Sequence, residues 1–254
     1  MQNPPLVSIL MNCYNAEEFI NNAIQSVLNQ KYKNWELVVW DDASSDNTVY
    51  KIKKFNDKRI KLFTNQIHLG LGKSRVDATK ELNGSLVSIL DSDDYYHPDK
   101  LIKQVEIFEK FPNVSICATW VKVFNENHEL VYLINGKLEN SKLKEKLIFV
   151  NLLAHSSIMY RKNAAQKVGW YSNSLEYSQD YDLTLKLIKN DEIYLIRNIL
   201  TYIIDRKKSM TNLKSLNSIV IKEKILILKK NMKFLLSKND KAIIGSIIDI
   251  YLIK

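Results

Sequence analysis

The sequence predicts an α/β fold in which helices cover both faces of a mainly parallel, doubly wound sheet. Between residues 6 and 118, short apolar runs rich in β-branched residues alternate with segments that have the periodicity of amphipathic helices. Parallel strands require crossover connections, and the connecting helices cover both faces of the sheet. The chain has 254 residues, 46% hydrophobic and 26% charged, and no apolar run approaches the roughly 20 residues that span a bilayer.

The elements of the first half follow this alternation in order. We predict strands at Leu6–Met11, Glu36–Trp40, Ile60–Phe63 and Ser85–Leu90, and helices at Ala16–Asn29, Thr48–Phe55 and about 72–82. In such sheets, ligands bind beyond the carboxyl ends of the strands. The polar clusters discussed below follow strand ends, so the first half is predicted to be a nucleotide-type binding domain.

The second half is predicted to complete one compact domain. A helix at Pro98–Phe111 has its proline at an early position, where the missing N–H costs nothing. The further expected elements are strands at Ser115–Phe124 and Leu130–Leu133, short helices at 141–149 and 162–168, a helix at Asp180–Ile188, and closing strands at Ile193–Ile196 and Ile199–Ile204. From Leu213 onward the pattern is helical, and a last helix is expected at about Asp240–Ile253.

The cysteine and histidine content excludes several classes of protein. Cys13 and Cys117 are too few for a disulfide framework, and the two cysteines and four histidines contain no pair at zinc-ligand spacing. The first residues are neither basic nor helical enough for a signal or transit peptide. We therefore expect a cytoplasmic protein with free thiols.

The net charge of +9 lies wholly in the C-terminal segment. Residues 206–254 contain 12 Lys/Arg and 3 Asp/Glu, whereas the first 205 residues contain 25 of each and are neutral. A solvated helix face and an anionic membrane surface are both open interpretations. A nucleic-acid partner is not expected, because few aromatic residues are interleaved with the lysines.

Two glycine motifs do not indicate a phosphate-binding loop. Gly72-Lys73-Ser74 resembles the end of a P-loop, but Ile67 stands where the first glycine is required. Gly70-x-Gly72 lacks the third glycine of a dinucleotide motif, because Arg75 occupies that position. A turn that opens a helix explains both.

Two acidic clusters follow predicted strands. Asp41-Asp42 is either a capping turn or a carboxylate that binds a base or ribose. Three carboxylates occur in Asp91-Ser92-Asp93-Asp94, and they repel one another unless a cation neutralises them. Carboxylates of an Asp-x-Asp pair suit a hard divalent cation such as Mg²⁺ or Mn²⁺, which completes its coordination with substrate phosphates and water.

Five motifs together resemble the inverting family 2 glycosyltransferases of the GT-A fold. They occur in this order over residues 5–211: VSILMNCYNAEEFINNAIQSVLNQKYKNWELVVWDDASSDNT, GLGKSR, LDSDDYYHPDKL, LLAHSSIMYRK and SQDYDLTLKL. The resemblance implies a Rossmann-like, mixed but mainly parallel sheet and a divalent metal, Mn²⁺ or Mg²⁺. It also implies a GT-A domain over 1–211, with a nucleotide-sugar half at about 1–100, an acceptor half at 101–211, and a basic helical tail at 212–254.

The same resemblance assigns residues to the donor. Asn12 and Tyr14 match the loop that holds the base, Asp42 matches the aspartate that contacts it, and Arg75 matches an arginine that faces the diphosphate. A histidine is common at position 206 in the family; here Arg206, Lys207 or Lys208 could neutralise the diphosphate, and Arg206 is the donor-binding candidate.

Metal and catalytic residues are implied in the same way. Asp91 and Asp93 match the metal-binding Asp-x-Asp pair, with Asp93 favoured as the direct ligand, and Asp180 matches the catalytic base. The family has a glutamate where this chain has Gln179, so a charge that could tune the base is missing. Outside the motif, the position of Asp180 favours the N-cap of its helix over a catalytic role.

The resemblance implies metal-dependent transfer of a sugar from a nucleoside diphosphate sugar, most simply a UDP-sugar, to a hydroxyl of a glycan or lipid-linked acceptor, and the chemistry of the candidate residues fits this reaction. The metal stabilises the diphosphate leaving group, the base deprotonates the hydroxyl, and a single displacement inverts the anomeric centre. Bacterial surface polysaccharide synthesis is the expected setting. The alternative is a non-catalytic sugar-nucleotide-binding or assembly subunit that retains the fold.

Some features have two interpretations at this level. Trp120, Trp170 and Tyr171 either line the acceptor pocket or pack in the core, and His155 is either functional or a structural hydrogen-bonding residue. The tail either lies on the inner face of the cell membrane as a peripheral contact, or covers the acceptor half or a second copy in a homodimer.

Overall fold

The computed structural model describes residues 4–134, 140–148, 151–189, 191–206 and 217–235. The predicted helix at Asp240–Ile253 lies outside these residues, as do the first residues of the predicted tail. In the described ranges, none of the helices is both long enough and apolar enough to cross a bilayer.

Strands and helices alternate through the first half, as predicted, and continue in the second. The strands are β1 Val7–Cys13, β2 Trp35–Asp41, β3 Ile60–Thr64, β4 Leu86–Ile89, β5 Tyr95–Tyr96, β6 Val114–Asn125, β7 Leu130–Ile134, β8 Met159–Arg161 and β9 Glu192–Asp205. The helices are α1 Ile20–Leu28, α2 Thr48–Lys53, α3 Leu71–Ala78, α4 Lys100–Lys110, α5 Asn140–Leu147, α6 Lys162–Lys167, α7 Gln179–Ile188 and α8 Asn217–Leu235.

The strands form one mixed sheet in the order β3-β2-β1-β4-β8-β6-β9-β5, and β7 pairs with β6 at the side. Strands β1 to β4 pair in parallel, and β6 pairs in parallel with β9 along almost its whole length. The short strands β5 and β8 join antiparallel to their neighbours, as does β7. The prediction of a mixed, mainly parallel sheet with helices is confirmed.

Two details of the sheet differ from the prediction. The two closing strands are a single strand, β9, in which Ile196 lies opposite Thr119 and Ile199 lies opposite Trp120. Arg197 and Asn198 lie between them and form a bulge in β9. These two polar residues interrupt the apolar pattern of the sequence, which is why two strands were predicted. Strands β5 and β8 were not predicted, because two or three residues are too few to show a periodicity.

The core lies in two layers, one on each face of the sheet. Successive side chains of a strand point to opposite faces, so Ile9 and Met11 of β1 pack with Ile24 of α1 in one layer. Leu10 points to the other face and packs with the layer that contains Tyr181 of α7. The layers bury both faces of the central strands and leave their carboxyl ends open for a site.

A buried carboxylate ties the amino ends of the first four strands together. Glu36 on β2 accepts hydrogen bonds from Ser8 Oγ (2.5 Å) and the Asn83 backbone N–H (2.6 Å), and it pairs with Lys61 Nζ at 2.7 Å. Burial opposes ionisation of Glu36, but the bonds from Lys61, Ser8 and Asn83 lower its pKa to about 2. The charged form of Glu36 therefore stabilises the fold.

Glu36→Gln is expected to lower the free energy of unfolding at pH 7 by about 3 kcal/mol. Since the folded-state pKa lies below the unfolded value, this contribution is present above about pH 4.5 and is lost as the pH falls towards 2. Urea unfolding between pH 7 and pH 2 measures it, with the exposed Glu106→Gln as the control. A gap between wild type and Glu36→Gln that stays constant down to pH 2 would contradict this account.

Candidate active site

A cleft of about 460 Å³ begins at the carboxyl end of β4 and extends towards α7 and α8. Its charged and hydroxyl-bearing lining residues are Arg75, Asp91, Asp93, Asp94, Tyr132, His155, Tyr177, Ser178, Asp180, Tyr181, Asp205 and Lys224. The predicted residues Arg75, Asp91, Asp93 and Asp180 therefore share one cleft. They come from α3, the segment after β4, and α7, which are distant in sequence.

Asp42 lies at the end of β2, where its carboxylate is fully engaged within the protein. It accepts the backbone N–H groups of Leu69 (3.0 Å) and Gly70 (2.8 Å) and the side-chain amide of Asn65 (2.6 Å), and it pairs with His68 Nδ1 at 2.9 Å. Burial opposes ionisation, but the hydrogen bonds from Leu69, Ser74, Asn65 and Gly70 lower the pKa of Asp42. These donors occupy the acceptor positions of the carboxylate, which number about four. The geometry shows Asp42 holding the segment before α3, and its contact with a base stays a prediction.

Tyr14 and Asn12 lie beside this carboxylate network. The Tyr14 side chain is 47% exposed, and its ring stacks on His68 with 4.0 Å between centroids. The side-chain nitrogen of Asn12 is buried without a hydrogen-bond partner among the described residues. Buried polar groups usually have partners, so this nitrogen is a donor available to a ligand. Cys13 is buried, and burial followed by the Asp41 charge raises its pKa, which keeps it an unreactive thiol.

Asp91 lies between two basic side chains. Arg75 Nη2 is 3.8 Å and His155 Nδ1 is 3.6 Å from Asp91 Oδ1, distances too long for hydrogen bonds but short for charge interaction. Burial opposes ionisation of Asp91, yet His155 and then Arg75 lower its pKa to about 2. Asp91 is therefore an anion held beside the almost fully buried Arg75.

Asp93 and Asp94 have different partners. Asp93 forms an ion pair with Arg206, the residue that follows β9. Asp94 accepts a hydrogen bond from Ser156 Oγ at 2.5 Å. Ser156 Oγ in turn accepts the backbone N–H of Asp91 at 3.0 Å. Burial raises the pKa of Asp93; the Arg206 charge opposes this shift and the Asp91 charge adds to it. Burial and the charges of Asp93 and Asp91 raise the pKa of Asp94.

These carboxylates fit a divalent metal only with help from a ligand. In the parts of the chain that the structure describes, no three His, Cys, Asp or Glu side chains are grouped to hold a metal ion by themselves. Asp91 and Asp93 nevertheless face one cleft, where neighbouring negative charges repel one another. A hard cation that takes one or two carboxylates and fills its remaining positions with phosphate and water matches this donor set.

Asp180 lies at the second position of α7, half-buried in the same cleft. Its Oδ2 accepts a hydrogen bond from Asn151 Nδ2 at 2.9 Å. The alternative that Asp180 is the N-cap is wrong, because α7 begins at Gln179 and Ser178 is at the cap position. Gln179 points elsewhere and donates from Nε2 to the Ser172 carbonyl at 2.8 Å.

Other side chains settle one of the open alternatives and define the surroundings of His155. Trp120, Trp170 and Tyr171 pack in or against the core and do not line the cleft, so the core interpretation is correct. His155 is 8% exposed, and its Nε2 lies 3.2 Å from the Tyr171 hydroxyl. It also faces Asp91, a position that the sequence did not predict.

The place of helix α8 at the cleft is the main feature that the sequence did not predict. We predicted a helix here, but its Val220 and Lys224 line the cleft. Of the two interpretations of the tail, the contact of α8 with the segment before α7 favours packing on the protein for this part of the chain. One feature of the sequence could have indicated this packing: Glu223 is the only acidic residue between Arg206 and Asn239, so it stands out in a basic segment.

Gly72 allows α3 to approach the segment that precedes α7. A Cβ atom at Gly72 would lie 2.8 Å from the Leu175 carbonyl oxygen, which is backbone and cannot rotate away. We expect Gly72→Ala to lower the free energy of unfolding by about 1–3 kcal/mol. Thermal unfolding measures this, and Lys73→Ala, at an exposed neighbouring position, is the control. Equal stability of the two variants would contradict the close approach.

Comparison with known proteins agrees with this architecture. The profile of Glycosyl transferase family 2 matches residues 8–174. A UDP-Glc:alpha-D-GlcNAc-diphosphoundecaprenol beta-1,3-glucosyltransferase of Escherichia coli, WfgD, is 36% identical over 193 residues, which cover 75% of this chain and 73% of WfgD.

Solved structures show the same fold. TarS of S. aureus in complex with UDP-GlcNAc superposes with a TM-score of 0.78 at 22% identity, covering 94% of this chain and 70% of TarS. The mannosyltransferase PcManGT of Pyrobaculum calidifontis, in complex with GDP-Man and Mn²⁺, gives a TM-score of 0.69 at 15% identity, covering 99% of this chain and 70% of PcManGT.

The fold and the cleft at its strand ends define a glycosyltransferase with a GT-A fold. The chain belongs to Glycosyl transferase family 2. The resemblance that the five sequence motifs implied is thereby confirmed at the level of family, fold and enzyme class.

Proposed function

We propose that the protein is a metal-dependent, inverting glycosyltransferase that moves a sugar from a UDP-sugar to a hydroxyl of a glycan or lipid-linked acceptor. The observation that carries this proposal is the single cleft in which Arg75, Asp91 and Asp93 lie together with Asp180. The first three suit a metal-bound diphosphate, and the last suits a base. The names of WfgD and of the TarS complex support UDP as the nucleotide and bacterial polysaccharide synthesis as the setting.

The donor base lies near Tyr14 in this proposal. Its exposed ring offers a stacking surface, and the buried nitrogen of Asn12 offers a hydrogen-bond donor. Asp42 holds the segment that carries His68, on which Tyr14 stacks. Asp42 thus shapes the base site even without touching the base.

The diphosphate lies between two guanidinium groups. Arg75 and Arg206 are each beside one carboxylate of the pair Asp91 and Asp93, so a bound diphosphate finds both cations and the metal ligands together. Asp91 and Asp93 would hold Mn²⁺ or Mg²⁺. When bound, the ion supplies Lewis-acid stabilisation of the negative charge that develops on the leaving diphosphate.

Asp180 accepts the proton of the acceptor hydroxyl. The hydrogen bond from Asn151 fixes one carboxylate oxygen, and the other is left to face the cleft. A base and a leaving group on opposite sides of the anomeric carbon produce inversion in one displacement. Residues 1–100 would form the donor half, residues 101–211 the acceptor half, and the reaction would take place at the inner face of the membrane.

A donor screen tests the proposal. Purified protein is incubated with UDP-, GDP- and dTDP-sugars in Mn²⁺, in Mg²⁺ and in EDTA, and released nucleoside diphosphate is measured. We expect turnover of a UDP-sugar that EDTA abolishes and Mn²⁺ restores, and a product with inverted anomeric configuration by NMR. Turnover that EDTA leaves unchanged would contradict metal dependence. Calorimetric donor binding without turnover for any acceptor would favour a non-catalytic subunit.

A further inference from the structure

Lys100 begins α4 with a side chain that is 0% exposed and that pairs with no carboxylate among the residues that the structure describes. Its Nζ donates to Ser88 Oγ at 3.0 Å and to Gln104 Oε1 at 2.9 Å, and it lies 4.0 Å from the centre of the Tyr96 ring. Burial lowers the pKa of Lys100 well below its usual range. Two N–H donors meet both acceptors, so a neutral amine is sufficient at this position.

Gln104 connects Lys100 to two further segments. The Gln104 side chain is 0% exposed, and its Nε2 donates to the carbonyl oxygens of Cys117 on β6 (3.1 Å) and Ser157 (3.0 Å). Carbonyl oxygens can only accept, so both amide hydrogens are in use and Oε1 depends on Lys100 for its donor. Loss of the Lys100 amine would therefore leave a buried acceptor unpaired, at a cost in free energy.

Tyr96 joins this network from the other side of the acidic loop, which we define as residues 90–94 between β4 and β5. Its hydroxyl donates to the Ile89 carbonyl oxygen and lies 2.9 Å from Ser88 Oγ. Ser88 and Ile89 end β4 directly before the acidic loop, and Tyr96 is on β5 directly after it. Lys100 contacts both sides, so the two ends of the acidic loop are held together against α4.

A third connection reaches the carboxylates themselves. Ser157, whose carbonyl oxygen accepts from Gln104, follows Ser156 in the chain. Ser156 Oγ donates to Asp94 at 2.5 Å and accepts the backbone N–H of Asp91 at 3.0 Å. The buried network therefore ends one residue away from the hydroxyl that orients two of the three acidic residues of the loop.

We propose that Lys100 is a positioning residue that holds the acidic loop in the conformation in which Asp91 and Asp93 bind the metal. This role rests on the proposed function, which places Mn²⁺ or Mg²⁺ at that pair. Carboxylates in one loop repel one another, so a loop without support would separate them. Arg206 opposes this repulsion but occupies Asp93, whereas Lys100 holds the backbone on both sides of the loop and leaves the carboxylates to the metal. Residues that orient metal ligands contribute to metal affinity without touching the metal.

Mn²⁺ binding measures the role of Lys100 without turnover. Electron paramagnetic resonance follows the titration of Mn²⁺ in the presence of UDP, for wild type and Lys100→Met, at a temperature at which circular dichroism shows both to be folded. Methionine is of similar length but has no N–H donor, so it leaves Gln104 Oε1 unpaired and loosens the acidic loop. We expect the Kd for Mn²⁺ to rise about tenfold, the lower end of the effect of losing a residue that orients metal ligands.

Tyr96→Phe is a milder second variant, because it removes a single hydroxyl at the other end of the acidic loop. It should raise the Kd for Mn²⁺ about threefold, and it decides the test alone if Lys100→Met does not fold. The control is Glu36→Gln, which disrupts a buried network at the amino ends of the first four strands, opposite the acidic loop. Glu36→Gln should lower Tm and leave the Kd for Mn²⁺ unchanged.

Two results would overturn the role of Lys100. One is a Kd for Mn²⁺ that stays at the wild-type value in Lys100→Met and Tyr96→Phe. The other is an equal rise in Glu36→Gln, which would show a general loosening of the sheet. Wild type that binds no Mn²⁺ in the presence of UDP would refute the proposed metal dependence itself, and the role of Lys100 would fall with it.

Discussion

Asp180→Asn is expected to lower kcat about 1,000-fold while the donor Kd stays within about twofold of wild type, because a general base acts on the acceptor proton and not on the donor. Asparagine keeps the size of the side chain and its hydrogen bond from Asn151, but it cannot accept a proton at neutral pH. Quenched-flow or steady-state release of nucleoside diphosphate gives kcat, and calorimetry gives the donor Kd.

Helix α7 provides a matched control. Asp182 lies two residues later, 1% exposed, and pairs with Lys186 Nζ at 2.5 Å. The same Asp→Asn change at position 182 removes a buried charge pair, so it should lower the unfolding temperature and leave kcat of the folded enzyme near wild type. Full turnover by Asp180→Asn, or an equal loss of kcat in both variants, would show that another residue is the base.

Asp93→Asn is expected to give the second large effect, a loss of about 100- to 1,000-fold in kcat/KM and of the response to Mn²⁺. Two consequences combine: one carboxylate of the Asp91–Asp93 pair loses its charge, and Arg206 loses its ion-pair partner. Direct titration of Mn²⁺ by electron paramagnetic resonance, in the presence of UDP, measures metal binding without turnover.

The control for the metal pair is Asp77→Asn on α3, whose carboxylate pairs with Lys80 on the protein surface. It removes one negative charge from the same helix that carries Arg75, and it should leave Mn²⁺ binding and kcat/KM unchanged. Retention of tight Mn²⁺ binding by Asp93→Asn would place the metal elsewhere and refute the proposed ligand pair.

Much of the donor side could be predicted from the sequence because it is local. Strand periodicity identified the ends of β2 and β4, and the carboxyl ends of parallel strands meet at one edge of the sheet. Asp42 follows β2 directly and Asp91 follows β4 after one residue, so their placement at that edge needed no tertiary information. The family motifs added Asp180, and the structure places it in the same cleft as Asp91.

The partners of these residues were not predictable in the same way. Asp42 was expected to face a ligand, but Asn65 and the backbone at Leu69 and Gly70 engage its carboxylate. Gln179, the motif residue next to Asp180 on α7, has no carboxylate. Glu223, which lies outside the matched motifs, instead accepts the backbone N–H of Ser178 directly before the same helix. A sequence pattern shows which groups are polar, but not which polar groups meet.

By itself, then, the amino-acid order determined the α/β alternation, the strand ends that bear acidic residues, and membership of the family. Only the tertiary structure decided that Arg206 pairs with Asp93, 113 residues away, and that α8 lines the cleft. The physical reason is one of range. Periodicity and capping act within one element, whereas ion pairs and helix packing depend on where the chain brings distant elements together.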